Sequence, residues 1–222
     1  FSGVRARHVI EVLHGSVGQT IKTGEIGGLV GESVIEEITD GAEATVKARV
    51  SHFTESERPW ADLVLAPPRP RVFKRLLPQF AALGVGRIFL VGAKKVEKDF
   101  WGATILKEEN YRPQLIDGLM QCGTSYLPVI ECRRNFRRFI ADELDAVTGE
   151  NLRIVAHPSP STTGVIGGDS RRVTIAIGPE GGWTEDEVAS LEEHGFKRYS
   201  LGPRILRTDT AAIALLACLM PK

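Results

Sequence analysis

The run Val173-Thr174-Ile175-Ala176-Ile177, halted at Gly178-Pro179, constrains this chain more than any other feature. Unbroken β-branched and apolar residues over this length, bounded by turn residues, fit a buried strand of a packed parallel sheet. A helix must follow: Thr184 and Glu187 have capping-box spacing, Glu185 and Asp186 fill the first turn, and Gly195 stops it. Earlier segments repeat this alternation. Asp62-Leu63-Val64-Leu65-Ala66 is a short apolar strand broken by Pro67-Pro68-Arg69-Pro70. Val72, Leu76, Leu77, Phe80, Ala81 and Leu83 recur at helical spacing up to Gly84, and Arg87-Ile88-Phe89-Leu90-Val91 is again strand-like. Strand, helix and strand in about 30 residues make a βαβ unit. Further along lie a polar helix over 108–122, a strand at Leu127-Pro128-Val129-Ile130, and an amphipathic helix from Arg134 to Val147. Leu152-Arg153-Ile154-Val155-Ala156 and Tyr199-Ser200-Leu201 read as strands, and an Ala/Leu-rich helix closes the chain. An α/β domain over residues 61–222 is the expected result.

Residues 1–60 differ in texture and form the other expected domain. Gly15, Gly18, Gly24, Gly27-Gly28, Gly31 and Gly41 punctuate short β-rich runs such as Thr20-Ile21-Lys22-Thr23 and the alternating segment from Ala44 to Val50. Ala6 to Leu13 is helical in pattern, and the polar stretch 51–60 reads as a linker. Many short strands of this kind close most simply as a small β-barrel or sandwich.

The zero net charge of the 222 residues hides an uneven distribution. Residues 1–65 hold six Lys/Arg and ten Asp/Glu, residues 66–140 fourteen and six, and residues 141–222 eight and twelve. The basic middle segment contains Arg69, Arg71, Lys74, Arg75, Lys94, Lys95 and the run Arg133-Arg134-Asn135-Phe136-Arg137-Arg138. Such a segment can follow a phosphate backbone, or it can be a set of solvated helix faces. No apolar run approaches the roughly 18 residues of a membrane span, so no membrane is expected as a partner. There is no signal-peptide pattern, and the chain opens at Phe1. Cys122, Cys132 and Cys218 have no zinc spacing, and their odd number points to free thiols, a cytoplasmic setting and no metal.

Two loops carry the chemical signal. Gly178-Pro179-Glu180-Gly181-Gly182-Trp183-Thr184 joins a strand to a helix through glycines that let a ligand approach the backbone. It matches no phosphate-loop pattern, and three carboxylates in the following turn already satisfy the helix dipole and repel an anion. A neutral or cationic ligand such as an adenosine bearing a sulfonium suits it better; a plain glycine-rich connection is the other reading. The second loop, Leu201-Gly202-Pro203-Arg204-Ile205-Leu206-Arg207-Thr208-Asp209-Thr210-Ala211, places Arg207 at the entrance to the last helix, with Thr208 or Asp209 as its expected cap. Arg207 is then either a charge aimed at a ligand or a surface ion pair with Asp209.

Together these loops resemble the last two cofactor motifs of the RsmE family, bacterial methyltransferases that make 3-methyluridine in small-subunit ribosomal RNA. Arg7-His8-Val9-Ile10, Val17-Gly18-Gln19 and Leu83-Gly84-Val85 extend the resemblance over most of the chain. It implies a SPOUT-type α/β domain with a deep C-terminal trefoil knot, preceded by a small PUA-like β-barrel domain that binds RNA. It also implies an antiparallel homodimer acting on ribosomal RNA or the small ribosomal subunit. On this likeness S-adenosylmethionine is held by His157, Gly178, Pro179, Glu180, Gly181, Gly182, Leu201, Gly202, Ile205, Leu206 and Thr210. Arg207, Glu180 and Asp209 are the implied catalytic residues, and Arg7, His8, Arg71, Lys74 and Arg75 the implied RNA contacts. The chain departs from the family pattern at His14, Ala82, Met120-Gln121-Cys122-Gly123-Thr124 and Asp209, mostly on the RNA side.

Uridine N3 carries a proton, so its methylation needs that proton removed and the resulting negative charge stabilised. Arg207 is expected to stabilise charge on the ring carbonyls, with Glu180 or Asp209 accepting the proton. A non-catalytic, dimeric RNA- or ribosome-binding protein, or a methyltransferase acting on another base, also fits the sequence.

Overall fold

The computed structural model describes residues 1–158 and 172–221, and its chain divides into two compact units. The first comprises Phe1–Glu57 with Cys122–Tyr126, the second Arg58–Gln121 with Leu127–Lys222.

In the first unit a helical turn α1 (Val4–Arg7) continues into a wider turn over His8–Val12. The strands β1 (Thr20–Gly24), β2 (Leu29–Thr39) and β3 (Thr45–Glu55) form an antiparallel sheet in the order β1-β2-β3. The strands described are thus an open three-stranded sheet rather than a closed barrel. Ala6 and Val9 pack on Ile21, Ile35, Ala44 and Val46 as a small core. The expected linker at 51–60 is corrected by β3, which runs on to Glu55 and pairs it with Leu29. Sequence reading stops short because Val50–Thr54 lie on an edge strand of the three-stranded sheet with little burial and so carry no strong apolar alternation. At Gly31 a β-carbon would sit 2.0 Å from the His52 carbonyl oxygen, so glycine is what allows this close pairing beside the bulge at Glu32/Ser33. Ser125 joins the unit by donating from its hydroxyl to the Gly28 carbonyl (2.6 Å) and from its amide to the Ser56 hydroxyl (3.1 Å).

The second unit is a parallel sheet between two helical layers. Its elements are β4 (Ala61–Leu65), α2 (Pro70–Ala82), β5 (Val85–Val91), α3 (Glu108–Cys122) and β6 (Val129–Arg133). A broken helix follows: α4 (Phe136–Arg138), a wide turn over Phe139–Glu143, and α5 (Leu144–Thr148). The expected continuous helix over 134–147 is therefore interrupted by this wide turn. Then come β7 (Leu152–Ala156), β8 (Val173–Ile177), α6 (Glu185–Glu193), β9 (Lys197–Tyr199) and α7 (Thr208–Leu219). The strand expected at Tyr199–Leu201 lies two residues earlier, because Gly202 and the Ser200 hydroxyl turn the chain out of the sheet.

The strand order is β6-β5-β4-β8-β7-β9, all parallel. Successive side chains alternate between faces. Leu63, Leu65, Ile88, Leu90, Ile175 and Ile177 meet Phe73, Phe80, Leu115 and Leu216 of α2, α3 and α7. Val64, Phe89, Val91 and Ala176 meet Phe139, Leu144, Val188 and Leu191 on the other side. Both faces are dry, which is why the strands read as continuous apolar runs. At the amino end of β4, Asp62 is wholly buried and bonded by Arg87 and Arg172 from neighbouring segments. No helix among the described residues is long and apolar enough to cross a membrane.

Candidate cofactor site

In an open parallel sheet, ligands collect at the carboxyl ends of the strands, where the connecting loops converge. Here three adjacent strands, β8, β7 and β9, send their exit loops into one cavity of about 330 Å³. His157 and Pro158 enter from β7, the Gly178–Trp183 loop from β8, and Leu201–Leu206 from β9; Thr208, Ala211 and Leu215 of α7 complete the wall.

Local chemistry fixes each loop. Beyond β8, Gly182 takes φ 69°, a left-handed conformation natural to glycine, and its amide donates to the Pro179 carbonyl at 2.8 Å. A β-carbon on Gly178 would lie 3.0 Å from the Trp183 amide nitrogen and 3.2 Å from its ring. The capping box is complete: the Thr184 hydroxyl accepts from the Glu187 amide, and the Glu187 carboxylate accepts from the Thr184 amide at 2.8 Å. Beyond β9, the buried Ser200 hydroxyl donates to the Gly202 carbonyl at 3.1 Å, and Gly202 adopts φ 117°. The His157 amide donates to the Tyr199 carbonyl at 3.2 Å, tying the β7 and β9 exits together, and its imidazole Nε2 lies 3.3 Å from Glu185.

The lining suits a nucleoside with little or no negative charge. Ile177, Trp183, Leu201 and Leu215 supply apolar walls, and the glycine loops offer backbone groups at close range. Glu180 lies at the rim, and Glu185, Asp186 and Glu187 crowd the first turn of α6, a setting that repels phosphate and tolerates a cation. Among the described residues the indole N–H of Trp183 is buried without a hydrogen-bond partner, a condition that costs about 1–3 kcal/mol unless an acceptor is supplied. These features fit a sulfonium nucleoside.

Of the residues singled out in the sequence, His157, Gly178, Pro179, Glu180, Gly181, Gly182, Leu201, Gly202, Ile205 and Leu206 all line this cavity. Thr210 and Asp209 do not; they face a second groove of about 380 Å³ between α2 and α7, with Arg75, Gln79 and Ile213. Of the two readings of Arg207, the ion pair with Asp209 does not form: Asp209 pairs with Arg75 instead. Burial works to raise the Asp209 pKa, but the Thr210 amide, the Arg75 guanidinium and the Arg207 charge outweigh it, and the carboxyl lies below its ordinary value. Neither Thr208 nor Asp209 caps α7; Arg207 holds the cap position without a side-chain bond, and Asp209 accepts from the adjacent Thr210 amide at 2.9 Å within the first turn. Arg207 is exposed and is not among the residues lining the cavity; its carbonyl accepts from the Ala211 amide at 2.8 Å, while its side chain makes no hydrogen bond or ion pair among the described residues. Arg71, Lys74 and Arg75 are exposed on α2, while in the first unit Arg7 is exposed and His8 half-buried.

Contacts from β4 and β5 exits were not foreseen from sequence. The Glu180 carboxylate accepts from the Arg69 amide at 3.1 Å. The buried Glu187 carboxylate also accepts from the Lys94 amide at 2.7 Å, and the Lys95 ammonium donates to the Gly181 carbonyl at 2.7 Å. Only the strand order brings these segments together; the capping-box spacing marked Glu187, whereas the sequence marked Lys95 only as part of a basic segment and not as a partner of the glycine loop.

Comparison with known proteins agrees with this geometry. Residues 55–220 match the family model described as an RNA methyltransferase domain. The chain is 30% identical over 99% of its length to ribosomal RNA small subunit methyltransferase E of Treponema pallidum, covering 84% of that protein. A methyltransferase from Legionella pneumophila, solved with its cofactor S-adenosylmethionine, superposes with a TM-score of 0.72 at 26% identity, over 96% of this chain and 86% of that one. The ribosomal RNA small subunit methyltransferase E of Neisseria gonorrhoeae, bound to S-adenosylmethionine, has the same fold: TM-score 0.76 at 22% identity, over 98% of this chain and 89% of that one.

Proposed function

Since the chain belongs to the RNA methyltransferase family, among the relatives of ribosomal RNA small subunit methyltransferase E, we propose that it methylates N3 of a uridine in small-subunit (16S) ribosomal RNA. The enzyme is an S-adenosylmethionine-dependent RNA methyltransferase. One observation carries the reading of the site: the two sequence motifs most like the family's cofactor motifs fold side by side into a single apolar cavity at the carboxyl ends of β7, β8 and β9. S-adenosylmethionine, when bound, supplies an electrophilic methyl group.

The residues of the chain do the rest. His157, Gly178, Pro179, Gly181, Gly182, Leu201, Gly202, Ile205 and Leu206 hold the nucleoside through backbone groups and apolar walls. Arg207, charged and with no side-chain hydrogen bond or ion pair among the described residues, stabilises negative charge on the uracil carbonyls. Glu180, at the cavity rim, accepts the N3 proton. Asp209 is a poorer acceptor because its carboxyl is bound to Arg75 and holds its proton weakly; its part is to fix Arg75 beside α7. Arg71, Lys74 and Arg75 on α2, and Arg7 and His8 in the first unit, supply cationic contacts for RNA phosphates.

The same reading includes a C-terminal trefoil knot, a PUA-like RNA-binding first unit (residues 1–60, with residues 61–222 catalytic), a cytoplasmic setting and a homodimer. The dimer is supported by α7, whose Ile213 stays exposed at 38%, with Met220 just past its end exposed at 45%, while the other face of the helix is buried.

The test is methyl transfer from labelled S-adenosylmethionine to small ribosomal subunits lacking the modification, with the nucleotide mapped. Label on one uridine N3 is expected, with assembled subunits better substrates than free RNA. Label on another base would overturn the uridine assignment, and no transfer to any RNA would overturn the enzymatic one.

A further inference from the structure

The glycine loop that closes the cavity cannot hold its own shape. Gly178, Gly181 and Gly182 lose more backbone freedom on ordering than any other residue type, and Gly181 and Gly182 are both exposed. Its internal restraint is the turn bond from Gly182 to Pro179. Further order comes from outside the loop: from the β4 exit, where the Arg69 amide donates to Glu180 at 3.1 Å, and from the exit of β5, two strands away in the sheet. There Lys94 donates its amide to the buried Glu187, and Lys95 lies along the loop with its ammonium 2.7 Å from the Gly181 carbonyl. The contact includes the side-chain stem, since a β-carbon on Gly181 would come within 3.0 Å of Lys95 Cδ and 3.4 Å of its Cβ. The β5 exit is itself fixed: Gly92 packs so tightly on the next segment that a β-carbon would lie 1.9 Å from the Arg134 carbonyl oxygen.

We propose that Lys95 is a positioning residue for methyl transfer, a tether that holds Gly181 in the shape that receives the cofactor. This rests on the reading of the cavity as the S-adenosylmethionine site. Lys95 does not line the cavity and acts only through the Gly181 carbonyl. A charge-assisted bond to a carbonyl lowers the disorder the ligand must otherwise remove, so its loss appears as weaker binding rather than as a changed fold.

The experiment compares the intact protein with Lys95→Met, which keeps the stem and removes the donor, and with Lys95→Arg, which restores a donor. Calorimetry with S-adenosylmethionine and hydrogen exchange at the 180–183 amides without ligand are read together. Lys95→Met is expected to weaken binding roughly tenfold and to speed exchange in that loop alone, with the unfolding temperature unchanged; Lys95→Arg recovers most of both. Binding within twofold of the unsubstituted protein, or unchanged loop exchange, overturns the tether. So does a loss of protection spread across the sheet, which would make Lys95 a general stabiliser. If the unsubstituted protein itself takes up no cofactor, the site assignment fails, and the tether to it fails with it; a silent Lys95→Met beside normal binding removes the tether alone.

Discussion

Replacing Asp62 with Ala should be among the most destabilising single changes at a charged residue of the second unit. The carboxylate is fully buried at the amino end of β4, a central strand. It accepts from Arg87 Nη2 at 2.7 Å, from Arg172 Nε and Nη2 at 2.9 and 2.6 Å, and from Asn151 Nδ2 at 3.3 Å. Removing one member of a buried charged cluster leaves its partners without a counter-charge and costs about 3–5 kcal/mol. Both guanidinium groups are about one-third exposed, at 32% and 33%, so water replaces part of what is lost and the lower end applies, about 3 kcal/mol. Urea unfolding followed by tryptophan fluorescence isolates the effect, because Trp60, Trp101 and Trp183 all belong to the second unit. At slopes of about 1–3 kcal/mol/M the midpoint should fall by roughly 1–3 M with the slope unchanged. Asp62→Asn keeps one acceptor oxygen and should lose less than Asp62→Ala. A loss below about 1 kcal/mol for Asp62→Ala would refute the reasoning, since the cluster would then behave like an exposed ion pair.

Arg207→Ala should reduce methyl transfer by about a hundredfold or more while leaving S-adenosylmethionine affinity within a few-fold, as expected for a group that stabilises transition-state charge; equal loss of both in parallel kinetic and calorimetric measurements would make it a structural residue. The Asp145 carboxyl is held below its usual value first by hydrogen bonding to His194 and then by Arg153, so its contribution to stability is full above the ordinary carboxylate pKa and disappears as pH falls through the lowered one. Stability curves of the unsubstituted protein and Asp145→Asn should therefore differ at neutral pH and converge as pH falls below about 4; a constant gap would contradict this. Gly118→Ala should destabilise by about 1–3 kcal/mol in urea unfolding, because its β-carbon would meet the Pro78 carbonyl oxygen of α2 at 2.2 Å, and a neutral or stabilising result would show that α2 and α3 can separate freely.

Burial made much of the second unit legible from sequence. Leu152–Ala156 and Val173–Ile177 match β7 and β8 end for end, because strands dry on both faces leave continuous apolar runs. The capping box at Thr184 and Glu187 was likewise readable, since it is a local pattern of hydrogen-bonding side chains. Where a strand lies at a wet sheet edge, as in β3 beyond Val50, its polar residues read as a linker because no buried face imposes an apolar alternation.

Sequence alone thus determined most strands and helices of the second unit and the two glycine-bearing loops that line one cavity, because these follow from local spacing and backbone freedom. Tertiary structure decided the partners. Only the order β6-β5-β4-β8-β7-β9 sets Lys95 against Gly181 and Arg69 against Glu180, and only the packing of α2 on α7 gives Asp209 to Arg75 instead of Arg207. Such pairs join residues far apart in the chain, and a hydrogen bond reaches about 3 Å whatever the sequence separation, so no spacing rule can encode them.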